Sequence, residues 1–216
     1  MDQFVFPRWA NKTVHLVGAV LGVVPLYLIG LVWYGFSPKT VAVGYAPEQP
    51  IPYSHALHAG ELGLDCRYCH NTVEKAAMAA IPPTETCMNC HQRVKTKSVK
   101  LEPLREAWAS GAPVEWLKVH DLPDYTYFNH SAHVTRGVGC ASCHGRIDQM
   151  DVVFQHEELS MGWCLDCHRQ PEAHLRPVAE ITNMAWEPPE EQLAFGAKLR
   201  EANNINPPQN CSTCHR

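Results

Sequence analysis

The chain has 216 residues, a net charge of −4 and an isoelectric point near 6.3, which excludes the strongly basic surface that nucleic-acid binding needs. Hydrophobic content is ordinary at 45%, and the length allows one or two small domains. Ten Cys and 13 His are not ordinary, and so many thiols point to a disulfide framework, a metal site or a covalently held cofactor.

Residues 1–12 carry Arg8 and Lys12, and no charged residue follows from Thr13 to Pro38. As a helix at ~1.5 Å per residue, 13–36 reaches roughly 36 Å, enough to cross a hydrocarbon core of ~30 Å with some tilt. Trp33, Tyr34 and Phe36 form an aromatic belt at its end. Arg8 and Lys12 place the N-terminus in the cytoplasm by the positive-inside rule, and the rest of the chain outside it. The expectation is a single-pass inner-membrane protein with a periplasmic domain. The rival is a cleaved signal peptide, but the apolar run exceeds an ordinary h-region and no A-x-A site stands near its end. Pro25 is tolerable in mid-span if neighbouring helices cover the freed carbonyl, which favours packing in a complex. His15 reads as interfacial, with a quinone or partner contact as the sharper alternative.

Residues 37–52 read as a linker, and 53–216 as one extracytoplasmic domain. Every cysteine falls in one pentapeptide pattern: "CRYCH" (Cys66, Cys69, His70), "CMNCH" (Cys87, Cys90, His91), "CASCH" (Cys140, Cys143, His144), "CLDCH" (Cys164, Cys167, His168) and "CSTCH" (Cys211, Cys214, His215). C-x-x-C-H is the attachment signature of c-type haem: two thiols add across the porphyrin vinyl groups and the adjacent imidazole ligates the iron. Zinc sites use pairs of thiol pairs, so five pairs is an odd fit. Neither zinc nor a disulfide framework needs a histidine at one offset five times. The reading is five covalent haems, with His70, His91, His144, His168 and His215 as proximal ligands.

The segment 53–91 repeats as 128–168. "SHALH" (His55, His58) matches "NHSAH" (His130, His133), a haem motif follows each seven or eight residues on, and a second motif follows that. The fifth motif, 211–215, is an appendix. Between motifs, "EPLREAWASG" reads as a helix with Pro103 at its start and Gly111 as its stop. "PPEEQLAFGAKLREANN" reads as a helix with Pro189 in its first turn. No convincing run of alternating strands is present. About 178 residues serve five haems, too little chain for a separate apolar core, so the haems must be the core.

Each iron needs a sixth ligand, from imidazole or methionine sulfur. His55, His58, His130 and His133 lead, because an i, i+3 pair on a helical turn presents neighbouring faces and could serve two haems. His120 follows. His174, His156, Met161 and Met150 are weaker candidates. Six-coordinate irons have no open position for a substrate, so the chain reads as an electron carrier and not a catalyst.

H-x-x-H ahead of C-x-x-C-H is similar to the cytochrome c3/c7 class of multihaem cytochromes, which implies a haem-packed fold of short helices and loops with little sheet. The anchor with "QPIPYSHALHAGELGLDCRYCH", "IPPTETCMNCH", "VHDLPDYTYFNHSAHV" and "MGWCLDCHRQPE" resembles the pentahaem subunits of alternative complex III, the bacterial menaquinol oxidoreductase. The resemblance covers nearly the whole chain. It implies a membrane-embedded assembly with an iron–sulfur, molybdoenzyme-like subunit, quinol-binding membrane subunits and a monohaem cytochrome. Electrons would leave towards a cytochrome c, a copper protein or an oxidase. No motif here matches a quinol site.

One alternative is an autonomous, membrane-anchored quinol dehydrogenase, like the anchored tetrahaem proteins of nitrate and nitrite respiration. Another is a pentahaem nitrite reductase. That chemistry needs an open iron, which that family marks with a lysine in place of a motif histidine, and all five motifs here end in His.

Overall fold

The computed structural model describes residues 6, 7 and 9–215. The chain divides into two units, 1–42 and 43–216. In the first, α1 (Ala10–Gly35) is 26 residues long, and among the described residues it is the helix long and apolar enough to cross a membrane. It starts three residues before the uncharged run and continues through Pro25. None of its side chains is buried: Leu26 is 71% and Trp33 83% exposed. A helix that is apolar all round needs an apolar medium around it. Thr13 satisfies its hydroxyl internally on Ala10 O (2.7 Å). Lys12 lies in the first turn, and Arg8 lies outside the described residues. At Ser37 the backbone becomes extended, and Pro38 opens the short α2 (Pro38–Val41).

The second unit is helical, and among its described residues no strand forms; two isolated bridges, Thr126↔His215 and Val138↔Leu175, are its β-type pairs. Its helices are α3 (Cys66–Cys69), α4 (Thr84–His91), α5 (Glu102–Ser110), α6 (His130–Val134), α7 (Ala141–His144), α8 (Met161–Arg169), α9 (Gln192–Ala202) and α10 (Cys211–Cys214). α5 matches the sequence reading: Pro103 sits in its first turn, where its missing N–H is harmless, and Gly111 ends it at φ 72°, the left-handed region that suits glycine. α9 begins at Gln192, three residues after Pro189. Pro189 forces Pro188 extended, and Glu190–Glu191 form a turn instead of a first helical turn. α9 is held by what it touches. Gln192 Nε2 donates to Glu172 O (2.9 Å) and Leu175 O (2.8 Å), and Arg200 pairs with Glu172 (2.5 Å).

The segments 53–91 and 128–168 differ in the turn that carries H-x-x-H. In the second half, His130 opens α6, capped by Asn129 accepting from Ala132 N (3.3 Å). In the first half, Ala56–Glu61 is a wider π-type turn, closed by Leu62 N on Leu57 O (2.9 Å). The cause is packing. Gly60 lies against the Asp148 carbonyl, where a Cβ has no room. The halves are stitched by Ala56 N to Met150 O (3.0 Å), His130 N to Ala77 O (3.0 Å) and Ser54 Oγ to Asp151 (2.7 Å).

Apolar packing is sparse. Nine hydrophobic residues are buried among those described, and only Leu175 and Ile181 are fully so. A small cluster joins Ile51, Met88 and Leu104, with Cys87 and Trp116 packed against it. That is too little apolar burial to order this much chain.

Candidate functional site

Each C-x-x-C-H forms a helical turn, so its two thiols, at i and i+3, share one side. The motif histidine closes the turn, its N–H donating to the first cysteine's carbonyl: His70 to Cys66 (2.8 Å), His144 to Cys140 (3.0 Å) and His215 to Cys211 (2.8 Å). Capping starts two of the turns. Asp65 accepts from Arg67 N (2.8 Å) ahead of the first motif, and Ser160 accepts from Trp163 N (3.2 Å) ahead of the fourth. None of the ten thiols is in a disulfide.

Seven histidines share one second-layer contact. Nδ1 faces a backbone carbonyl at His58 (Ser54, 2.8 Å), His70 (Ala80, 2.8 Å), His91 (Val94, 3.1 Å), His130 (Ala77, 2.9 Å), His133 (Asn129, 2.7 Å), His168 (Pro208, 2.7 Å) and His215 (Tyr125, 3.2 Å). A carbonyl only accepts, so Nδ1 must donate, and the lone pair is left on Nε2. That is how a metal-ligating imidazole is held in tautomer and orientation. Among the described residues, His55 and His144 have buried Nδ1 atoms without a partner, and His120 has such an Nε2. Burial, reinforced by neighbouring imidazoles, pushes His144 down to about 3 and His55 down to about 4. Both are therefore neutral bases at neutral pH.

The rings also come in pairs. Ring centroids are 6.2 Å apart for His58 and His91, 6.0 Å for His133 and His168, and 6.5 Å for His130 and His144, the last pair nearly parallel at 9°. An iron between two imidazole nitrogens at ~2 Å each puts ring centroids roughly 6.3 Å apart, taking nitrogen–metal distances of this class. The three separations fit that span. His55 lies close enough to His70 for that imidazole to add to the effect of burial on it. His120 stands edge-on to His144 at 4.4 Å, too close for an intervening iron. Of the weaker candidates, His174 and His156 are exposed, Met161 is 64% exposed, and Met150 is buried. His15 is exposed on α1.

The motifs neighbour one another in a definite pattern. Tyr68 of the first accepts from Asn89 of the second (3.0 Å), and the Cys140 sulfur of the third lies beside that of Cys66 in the first. Cys143 of the third is pushed up to about 12 by burial and by Cys167 and Cys164 of the fourth. His168 of the fourth is held by Pro208, and its carbonyl accepts from Gln209 (3.4 Å), just ahead of the fifth.

Two kinds of residue escaped the sequence reading. Tyr53 stacks on His58 (4.4 Å) and meets His55 edge-on (4.8 Å); Phe128 lies tilted by 31° against His133 (4.5 Å) and meets His130 edge-on (4.8 Å). An aromatic two residues before each H-x-x-H was visible in the repeat itself. Arg176 is the other. It is 7% exposed, lies over the Trp186 ring at 4.6 Å and donates to Asn183 O (3.1 Å), with its guanidinium against Gly139, one residue before Cys140. No local pattern marks it.

Comparison with known families matches residues 51–104 and 126–216 to the model for cytochrome c7 and related cytochrome c, about two thirds of the chain. The chain belongs to that family. It therefore carries several c-type haems, held by thioethers at C-x-x-C-H motifs, and it transfers electrons. All five motifs and both H-x-x-H pairs lie inside the matched residues, and His120 lies in the gap between them. The helical, sheet-free architecture of the described residues is the one the sequence implied. Over 125 residues the chain is 32% identical to the "Menaquinone reductase, multiheme cytochrome c subunit" of Nitratidesulfovibrio vulgaris (strain Hildenborough), covering 55% of this chain and 57% of that protein. The chain thus spans little more than half the length of this curated relative.

Proposed function

We propose that this cytochrome is a pentahaem, membrane-anchored electron-relay subunit of a menaquinol:acceptor oxidoreductase of the alternative complex III type. In this reading 13–36 is the anchor, Lys12 and Arg8 face the cytoplasm, and 53–216 is the extracytoplasmic haem domain. Partners are quinol-binding membrane subunits, an iron–sulfur molybdoenzyme-like subunit and a monohaem cytochrome, with a cytochrome c, copper protein or oxidase as acceptor. The likeness to a menaquinone reductase subunit supports the complex, and the exposed apolar α1 supports the anchor.

The observation that carries the relay is the imidazole pairing at 6.0–6.5 Å, with Nδ1 on a carbonyl in five of the six rings. His58 and His91, His133 and His168, and His130 and His144 are assigned as axial pairs, and His55 is assigned to His70. The ten cysteines hold the porphyrins, and each haem supplies one-electron exchange at its iron when bound. The chain's own work is positioning. Two imidazoles would hold each of these four irons and leave it no open position for a substrate, the Tyr53 and Phe128 rings fix the imidazoles, and burial keeps His55 and His144 neutral.

The test is haem stoichiometry and spin state of the purified chain, followed by menaquinol oxidation with and without its partner subunits. Five covalent haems, the four with assigned imidazole pairs low-spin in the resting state, and no quinol oxidation by the isolated subunit are expected. Fewer haems, or turnover of menaquinol by the subunit alone, would replace this reading with another.

A further inference from the structure

We propose that the surface over the second motif is the electron-exchange face of this cytochrome, and that it takes an acidic, soluble one-electron redox protein. The proposal rests on the relay reading above. The motif contacts described above run in the order second, first, third, fourth, fifth. The second and fifth motifs are the ends of that row. Exposure agrees independently: of ten cysteines, Cys90 and Cys211 are the exposed ones, and they belong to the second and fifth motifs. A haem edge near the surface is where electrons can enter or leave.

The second-motif end carries a charge signature. Arg93, Lys95, Lys97 and Lys100 are all exposed, with no acidic residue between His91 and Leu101. None of the four forms an ion pair among the described residues. The nearest acids along the chain, Glu85, Glu102 and Glu106, are also unpaired there. The strip therefore sets a positive local field on a chain whose net charge is −4. It is tied to the site by its backbone. His91 Nδ1 donates to Val94 O (3.1 Å), and the next residue, Lys95, sits at φ 54°, so the turn that orients the axial ring also projects the lysines. A one-electron protein with an acidic rim around its own cofactor fits this surface by charge. Such a rim steers encounter and fixes orientation without a large buried area.

The experiment uses the full-length, haem-loaded chain in nanodiscs of neutral lipid. Haem content and spin state are measured first, and a deficit there counts against the relay reading, not this one. The reduced protein is then mixed with oxidised (Cu(II)) plastocyanin, an acidic copper protein, or with ferric mitochondrial cytochrome c, a basic one. The plastocyanin rate should fall with ionic strength. The variant Lys95→Glu/Lys97→Glu/Lys100→Glu should lower it about ten-fold at low salt and raise the cytochrome c rate, with haem content unchanged. The single Lys97→Glu should give a smaller shift in the same direction. An unchanged plastocyanin rate and salt slope in the triple variant would overturn the proposal. So would loss of the difference between variant and parent when anionic lipid is added to the nanodiscs, because the strip would then be a lipid contact.

Discussion

Removing the His133 imidazole is the sharpest test of the axial pairing. His133 and His168 stand 6.0 Å apart, centroid to centroid, against roughly 6.3 Å for two imidazoles on one iron. His133 Nδ1 is fixed on Asn129 O at 2.7 Å and its ring lies against Phe128 at 4.5 Å, so the imidazole is held in one orientation. His133→Ala should therefore convert one haem, and only one, to a five-coordinate, high-spin form. Free imidazole should restore the low-spin signature. The assay is absorption and paramagnetic resonance of the purified, fully haem-loaded protein. Double variants identify the partner. His133→Ala with His168→Ala should still disturb one haem, because both ligands belong to one iron, whereas His133→Ala with His91→Ala should disturb two. An unchanged spectrum in the single variant, or two disturbed haems in the first double variant, would refute the pairing.

The remaining predictions concern folding. Preventing haem attachment, by expression without the maturation machinery, should leave 43–216 without stable helicity and open to protease, since nine buried apolar residues are too few to hold it; a protected, helical apo-domain would contradict this. Leu104→Ala should destabilise the haem-loaded protein by about 2–5 kcal/mol in denaturant unfolding, because Leu104 is 3% exposed and joins Ile51 and Met88. Asp65→Ala should remove the cap of α3 and cost about 1 kcal/mol at neutral pH. Its hydrogen bond to Arg67 holds the Asp65 carboxyl down to about 2, from 3.8. A depressed carboxyl stabilises fully above 3.8 and loses that contribution as pH falls towards 2, so the gap between parent and variant should close over that window. A gap that is constant with pH would assign the effect elsewhere.

What was legible in the sequence is what depends on spacing. The i, i+3 thiols and the adjacent imidazole are a local pattern, and so is α5, bracketed by Pro103 and Gly111. The uncharged run was legible because charge is costly at membrane depth. The contacts made at a distance were not. Nothing near Cys66 announces Cys140, nor does anything near His168 announce Pro208, because those meetings depend on how the two halves pack. The late start of α9 at Gln192 has the same origin, with the Gln192 side chain anchored on Glu172 and Leu175 across the chain. His120 was ranked with the H-x-x-H histidines; its ring stands edge-on to His144, so those two do not share an iron, and which iron it could serve depends on packing that its own neighbours in sequence do not show. The Tyr53 and Phe128 rings were readable in principle, since the duplication preserves an aromatic at both positions.

The carbonyl acceptors behind the imidazoles have a consequence for how this chain tolerates change. His130 leans on Ala77, 53 positions away, His168 on Pro208, 40 away, and His215 on Tyr125, 90 away. A peptide oxygen survives any replacement of the residue that bears it. The aim of these three rings is thereby insulated from point substitution at Ala77, Pro208 and Tyr125, and is vulnerable instead to insertions or deletions that shift those strands of main chain past their partners.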